Sequence, residues 1–302
     1  MQNKKSNSTQ AGLLMVIVAS MLWGTGNITA KFIYQVSNTT AISIAFFRMA
    51  LSVPALLVLC WLMLRGRMFK LSRRDVLPML VAGSFVALYQ AAFYAALPRI
   101  GVAIATLIAL CSAPVIVAVL SAIITRQRPR TLVLIALACA IAGTLFLVQK
   151  EPSAQQTQSN LISGALLALL SGLLYALNVL IGSRLGANPN VHPLQTVTVG
   201  FTFGAVVLGV IGAQSGLVIS YPAQGWAGLL YLGVIGTAVA YALFYTGMRS
   251  TSSTAASIAT LMEPLTATIL AWLVFNEPLS PRVLLGGGLL ISAMLLLWWE
   301  RK

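Results

Sequence analysis

Ten times along the chain, roughly 18 to 25 consecutive residues pass with almost no charge, which is the length needed to cross a lipid bilayer as a helix. In lipid every backbone N–H and C=O must be paired within the segment, and runs of this length without alternation satisfy that only as α-helices. Charged, Pro-rich and Asn/Ser-rich interruptions place the runs near 11–34, 40–64, 76–97, 101–124, 131–149, 161–183, 194–213, 224–248, 253–275 and 282–299. The expected fold class is an all-α polytopic membrane protein. Composition agrees: 59% of the 302 residues are hydrophobic and 8% are charged, against roughly 25% charged in a soluble domain. Ten spans use about 200 positions. No room is left for a separate soluble domain, so function is expected within the membrane part.

The net charge of +14 would suggest a nucleic-acid partner in a soluble protein. Here it follows topology. With Met1 in the cytoplasm, the inner loops hold Lys4, Lys5, Arg65, Arg67, Lys70, Arg73, Arg74, Arg126, Arg128, Arg130, Arg184, Arg249, Arg301 and Lys302, which is 14 of the 19 basic residues. The outer loops hold Arg99, Lys150 and Arg282, and Lys31 and Arg48 lie within spans. This split places both termini in the cytoplasm and leaves no basic excess for nucleic acid to explain. The polar start, Met1 to Gln10, precedes an apolar run too long for a signal-peptide core, so it is expected to be retained. Cys60, Cys111 and Cys139 sit inside apolar runs without paired spacing and are expected to be packing residues, with no disulfide and no metal site.

The two halves repeat each other. At a shift of 151, Ser20 and Asn27 meet Ser171 and Asn178, and Phe93-Tyr94 meets Phe244-Tyr245; at 150, Pro114 meets Pro264. Residues 1–150 and 151–302 are thus expected to be two copies of a five-helix unit. Five is odd, so the second copy enters the membrane from the opposite side. Such inverted repeats commonly build alternating access around a site near the midplane.

Three charged side chains fall within the spans: Lys31, Arg48 and Glu263. At 1.5 Å per residue, Lys31 lies about 30 Å from the inner end of its span and can snorkel to the outer interface, whereas Glu263 lies about 15 Å deep. A carboxylate there costs at least about 2.5 to 3.5 kcal/mol unless protonated, paired or facing water. Glu263 is therefore a candidate for binding substrate or exchanging a proton; pairing with Arg48 or capping a helix break is the structural alternative. Arg48 is expected to set its charge state or bind a substrate carboxylate; bonding to backbone carbonyls or to the opposite repeat is the structural alternative. Pro114 and Pro264 each remove a backbone hydrogen bond mid-span, and matching breaks in two halves point to a transport site, with a packing kink as the alternative.

Ser253, Ser257, Thr260 and Glu263 share an arc of roughly 120° and should avoid lipid. Trp23 with Asn27, Gln90 with Tyr94, and Tyr241 with Tyr245 are i, i+4 pairs, and Asn178 answers Asn27 in the second half. Rings that give contact area and amides that fix orientation suit a small amphipathic solute; interhelical packing is the alternative for each residue alone. His192, the single histidine, has no partner for hydrolytic or metal chemistry, so no enzyme is expected. Gly286, Gly287 and Gly288 lack the Lys-Ser/Thr of a phosphate loop and, like Ala136, Ala140 and Gly143, are expected to serve close helix packing.

These residues resemble the drug/metabolite transporter superfamily, specifically its EamA-type ten-helix exporters. The resemblance rests on Trp23-Gly24 followed by Lys31, Arg48 in the second span, Pro114 in the fourth, Leu261-Met262-Glu263-Pro264, and the turn Asn276-Glu277-Pro278-Leu279. Two positions depart from the pattern: Gln127, where Glu is frequent, and Asn276, where Gly is usual. The resemblance implies export of a small metabolite, often an amino acid or related compound, from a bacterial cytoplasm through the inner membrane. The expected protein is a secondary transporter driven by a gradient of the solute or of protons, without cofactor, as monomer or homodimer. A passive channel or a membrane sensor is the alternative.

Overall fold

A computed structural model describes residues 2–69, 71–100, 102–127, 129–147, 158–275 and 281–299. The side chains of Lys4, Lys5, Lys70, Arg128, Lys150, Arg301 and Lys302 and the turn at 276–279 lie outside what is described. The chain forms α1 (Gln2–Val36), α2 (Ala41–Leu64), a 3₁₀ turn (Arg65–Phe69), α3 (Arg73–Ile100), α4 (Val102–Thr125), α5 (Thr131–Leu147), α6 (Gln158–Ala187) and α7 (Pro193–Ser215). The eighth span is α8 (Ala223–Gly233), a π-helical stretch (Val234–Val239) and α9 (Ala240–Gly247); the ninth is α10 (Ser253–Ala259) and α11 (Met262–Phe275); α12 (Pro281–Trp299) is the tenth. Among the described residues eight stretches are long and apolar enough to cross a membrane, and the shorter apolar helices Thr131–Phe146 and Leu284–Trp299 complete the ten. Leu62, Met63, Leu166, Leu284 and Leu295 are exposed, a liability in water and the normal condition in lipid.

The principal helix contacts join the first five spans to the last five. α3 packs on α6 and α7, and α4 on α6; correspondingly α1 packs on α8 and α9, α2 on α8, and α1 on α11. The remaining two pairs, α2 with α7 and α5 with α12, join counterparts. Small residues make the approaches possible, since lipid offers no hydrophobic drive between helices and close van der Waals contact must supply it. A Cβ on Gly83 of α3 would overlap the carbonyl of Gly200 on α7. A Cβ on Gly143 of α5 would lie 2.7 Å from the carbonyl oxygen of Gly286 on α12, beside the fully buried Ala136 and Ala140. Gly287 faces Leu265, but Gly288 faces open space, so close packing accounts for only part of that triplet.

Helix starts use side-chain acceptors for the unpaired first-turn N–H groups. The Thr40 hydroxyl accepts from Ser43 N–H at the start of α2, and Ser252 does the same for Ala255 at α10. His192 caps α7 through Nδ1, with Gln195 completing a capping box and Pro193 in the first turn, where a missing N–H costs nothing.

The two prolines do not make matching breaks. Pro114 lies inside α4, which continues unbroken to Thr125: losing one hydrogen bond does not end a 24-residue helix held by the rest. In the second half the helix stops at Ala259 and restarts at Met262, with the tight bonds Leu261 N–H to Ile258 C=O (3.0 Å) and Glu263 N–H to Thr260 C=O (3.0 Å) between. Pro264 falls in the first turn of α11, where it fits without loss.

Candidate functional site

Glu263 stands in the first turn of α11, where the helix dipole favours negative charge. Its Oε1 accepts from Asn27 Nδ2 at 2.9 Å, so the hydrogen-bond partner found among the described residues is Asn27 of the first half, not Arg48. Gly24, one turn before Asn27, lets α1 lie against this turn: a Cβ there would be 2.7 Å from the carbonyl oxygen of Glu263. The ionisable groups within electrostatic reach of the carboxylate are Arg48 of α2, Tyr89 and Tyr94 of α3 and Tyr175 of α6. The carboxylate is half-buried, and its hydrogen-bond partner Asn27 is exposed.

Arg48 donates from Nε to Thr237 Oγ1 at 3.2 Å, and Thr237 is the buried polar residue of the π-helical stretch. A π-turn shifts the backbone register and turns its residues toward new neighbours, which is why such turns collect at functional sites. Arg48 also has Tyr94, Tyr241 and Tyr89 around it. Below this polar level the rings close together. Trp23 lies 4.8 Å from Tyr241 and 5.2 Å from Phe244, centroid to centroid, Phe201 lies 4.6 Å from Tyr241, and the Tyr89 and Tyr241 hydroxyls share a 2.6 Å hydrogen bond. Tyr245 donates to Asn178 Oδ1 at 2.7 Å.

Accessibility divides the set. Trp23, Gln90, Asn178, Tyr241 and Tyr245 are buried, Arg48, Tyr94 and Glu263 are half-buried, and Asn27 is exposed. Ser253, Ser257 and Thr260 are buried, with the hydroxyls of Ser257 and Thr260 bonded to carbonyls of their own helix. Four buried polar atoms in this region have no hydrogen-bond partner among the described residues: Trp23 Nε1, Gln90 Oε1, Tyr175 OH and Asn178 Nδ2. An unmet donor or acceptor in a low-dielectric interior costs about 1–3 kcal/mol, so such a concentration is expected where a polar solute or water is handled.

Five members are not among the sequence candidates. Tyr89 lacks an i, i+4 polar partner, and Tyr175 has one in Ser171; their hydroxyls in apolar runs are the available signal. Thr237, Phe201 and Phe244 carry none, because a π-turn leaves no compositional trace and a Phe in an apolar span looks like any core residue. Lys31 is exposed near the end of α1, as snorkelling requires.

The sequence profile of the EamA-like transporter family matches residues 10–149 and again residues 162–299. Over 285 residues the chain is 29% identical to the uncharacterized transporter YwfM of Bacillus subtilis, spanning 94% of this chain and 92% of that one. It is 28% identical to the uncharacterized inner membrane transporter YicL of Salmonella typhimurium, with 96% of each covered. The threonine/homoserine exporter RhtA of Escherichia coli is 27% identical over 228 residues, 74% of this chain and 72% of that one. A solved crystal structure superposes with a TM-score of 0.79 at 15% identity, covering 95% of this chain and 96% of the other, which shows a shared fold. A profile found once in each half, on a many-spanned helical fold shared with a solved protein, makes this chain a multi-pass membrane protein belonging to the EamA-like transporter family.

Proposed function

We propose that the protein exports a small organic metabolite, an amino acid or related compound, across the bacterial inner membrane by alternating access between two oppositely inserted repeats, 1–150 and 151–302. The Asn27–Glu263 hydrogen bond carries this reading: it joins the two halves within the spans, beside a helix interruption at which a carboxylate stands. The helix contacts support the repeat, since each exchange of a span for its counterpart finds a matching pair. The split of basic residues supports cytoplasmic termini. The name of RhtA, an exporter of threonine and homoserine, supports the substrate class.

In this proposal Glu263 contacts a substrate amine or exchanges a proton, and Arg48 with Thr237 receives a carboxylate. Trp23, Asn27, Gln90, Tyr94, Asn178, Tyr241 and Tyr245 shape the pathway. By the same topology the Tyr245–Asn178 bond and the fully buried α10 lie toward the cytoplasm, while Asn27 lies toward the outside. The arrangement is then closed inside and more open outside. A seal of this kind favours a carrier over a passive channel.

Reconstitution into vesicles tests the reading. Saturable uptake of a labelled amino acid, with counterflow when the same compound is loaded inside, is expected. Non-saturating flux or conductance would overturn the carrier.

A further inference from the structure

Away from the central site, three connections converge on a cavity of about 290 Å³ lined by Leu64, Arg67, Pro189, Asn190, Val191, His192, Gln195 and Arg249. Arg67 comes from the 3₁₀ turn after α2, His192 from the loop before α7, and Arg249 from the loop after α9. No carboxylate is in the lining among the described residues. Asp75, the nearest acid in sequence, is engaged by Asn188 Nδ2 at 3.0 Å. A second recess of about 480 Å³, lined by Met63, Leu64, Arg65, Gly66 and Arg67, adjoins the first through Leu64 and Arg67.

The donors in the cavity are partly spent and partly free to act on a ligand. Gln195, 5% exposed, uses its amide nitrogen on the carbonyls of Arg67 and Met68 (3.1 and 3.2 Å) and its oxygen on His192 N–H. It fixes the 3₁₀ turn against α7 and so holds Arg67 in place. His192 Nδ1 accepts from Leu194 N–H, so the neutral imidazole carries its proton on Nε2, a donor. Arg65, at the recess, has φ of 47°, a conformation that non-glycine residues seldom adopt and that persists where surroundings impose it. It turns the chain sharply at the end of α2, so that Arg65 and Arg67 follow directly on the exposed apolar residues Trp61, Leu62 and Met63.

We propose that this cavity binds the phosphate of an anionic phospholipid, with the guanidinium groups of Arg67 and Arg249 on the phosphate, and an acyl chain running from the recess along Trp61, Leu62 and Met63. Two arginines and a histidine donor in one lining, with no acid among the described residues that form it, are chemistry for a phosphate oxyanion. Basic pockets among helix ends on the cytoplasmic side are where such headgroups dock. The continuous apolar path from the recess selects a lipid over a soluble phosphate ester. Because Arg249 belongs to the second half and Arg67 to the first, a bound phosphate ties the halves together at this end. Only the naming of the cytoplasmic leaflet rests on the sidedness proposed above; binding itself does not depend on transport.

The test uses the full chain in a neutral detergent, with dioctanoyl phosphatidylglycerol, dioctanoyl phosphatidylcholine, inorganic phosphate and glycerol 3-phosphate as probes. Phosphatidylglycerol should raise the melting temperature saturably. Its affinity should fall about fivefold for each arginine removed and about 25-fold in the Arg67→Gln, Arg249→Gln double variant. The Arg73→Gln, Arg74→Gln variant, basic residues at the same end but outside the cavity, should bind as the parent does. Since His192 is the only histidine, its imidazole resonances in tag-free protein give a second readout that needs no variant. Their titration midpoint should rise with phosphatidylglycerol and stay put with phosphatidylcholine. Equal effects of the two lipids, undiminished binding in the double variant, or equal stabilisation by either soluble phosphate would overturn the assignment.

Discussion

Positions 105–112 of α4 and 255–262 of the second half are equivalent at the shift of 150 residues, yet they sit in different surroundings. All eight of 255–262 are buried, whereas in 105–112 only Ala105 and Ala109 are. The regularity differs too. α4 is continuous through Pro114, while its counterpart is split into α10 and α11, and α3 is continuous where its counterpart passes through a π-turn. The proposed alternating access requires such a difference between the halves: one seals its end while the other opens its own. The irregular stretches of the second half bring Glu263 and Thr237 to face first-half helices that stay unbroken.

The largest expected effect concerns the residue that the broken helix presents. Glu263→Gln keeps the size and a hydrogen-bonding tip but loses the charge. A bond to a charged group is worth about 1.5–3 kcal/mol against about 1 for a neutral one, so transport in vesicles should fall by about tenfold or more. The variant should still insert, and any residual transport should no longer vary between about pH 5 and 8. Parent-like transport with parent-like pH dependence would remove Glu263 from the mechanism.

Enlarging equivalent positions measures the packing difference directly. Ala256 is fully buried and Thr106, its counterpart, is not. Ala256→Leu should destabilise by about 1–3 kcal/mol, seen as a lowered melting temperature, and Thr106→Leu by well under 1. Equal costs would show the two ends to be equally packed. Tyr245→Phe removes the donor to Asn178, whose Nδ2 already lacks a partner, and should cost about 1–3 kcal/mol.

How far the sequence carried these conclusions depends on the physics behind each feature. Span positions were legible because bilayer thickness sets helix length whatever the packing. The acid and the arginine stood out because charge at that depth is costly. The break was only partly legible: Pro264 marked the region, but the interruption falls at Thr260–Leu261, and Pro114 makes none. A proline removes one hydrogen bond, and neighbouring helices decide whether the remainder yields. The π-turn at Val234–Val239 was not legible at all, because a register shift changes no residue type. The partner of Glu263 is not legible either: which second-half helix Asn27 meets is a tertiary fact.

The smallest effect separates two equivalent helix starts. Thr40 caps α2 with a hydroxyl that does not titrate near neutrality, and His192 caps α7 with Nδ1. Burial, then the nearby Arg249, holds His192 below its ordinary value. Its stabilising contribution is therefore complete above about pH 6.5 and declines as pH falls through that value toward the folded-state pKa. A cap is worth about 0.5–2 kcal/mol. The acid-side loss of stability should shrink in His192→Asn, measured by melting temperature against pH, and should be unaffected in Thr40→Asn.

Side-specific thiol labelling tests the exchange of packing between the halves most directly. With Cys60, Cys111 and Cys139 replaced, single cysteines at Thr106 and Ala256 are exposed to a membrane-impermeant reagent in oriented vesicles, with and without a substrate gradient. At rest Thr106→Cys should label from the outside and Ala256→Cys should be protected; under conditions that drive export, protection of the first should rise as labelling of the second from the inside rises. Labelling that changes in the same direction at both positions, or at neither while transport proceeds, would contradict the account.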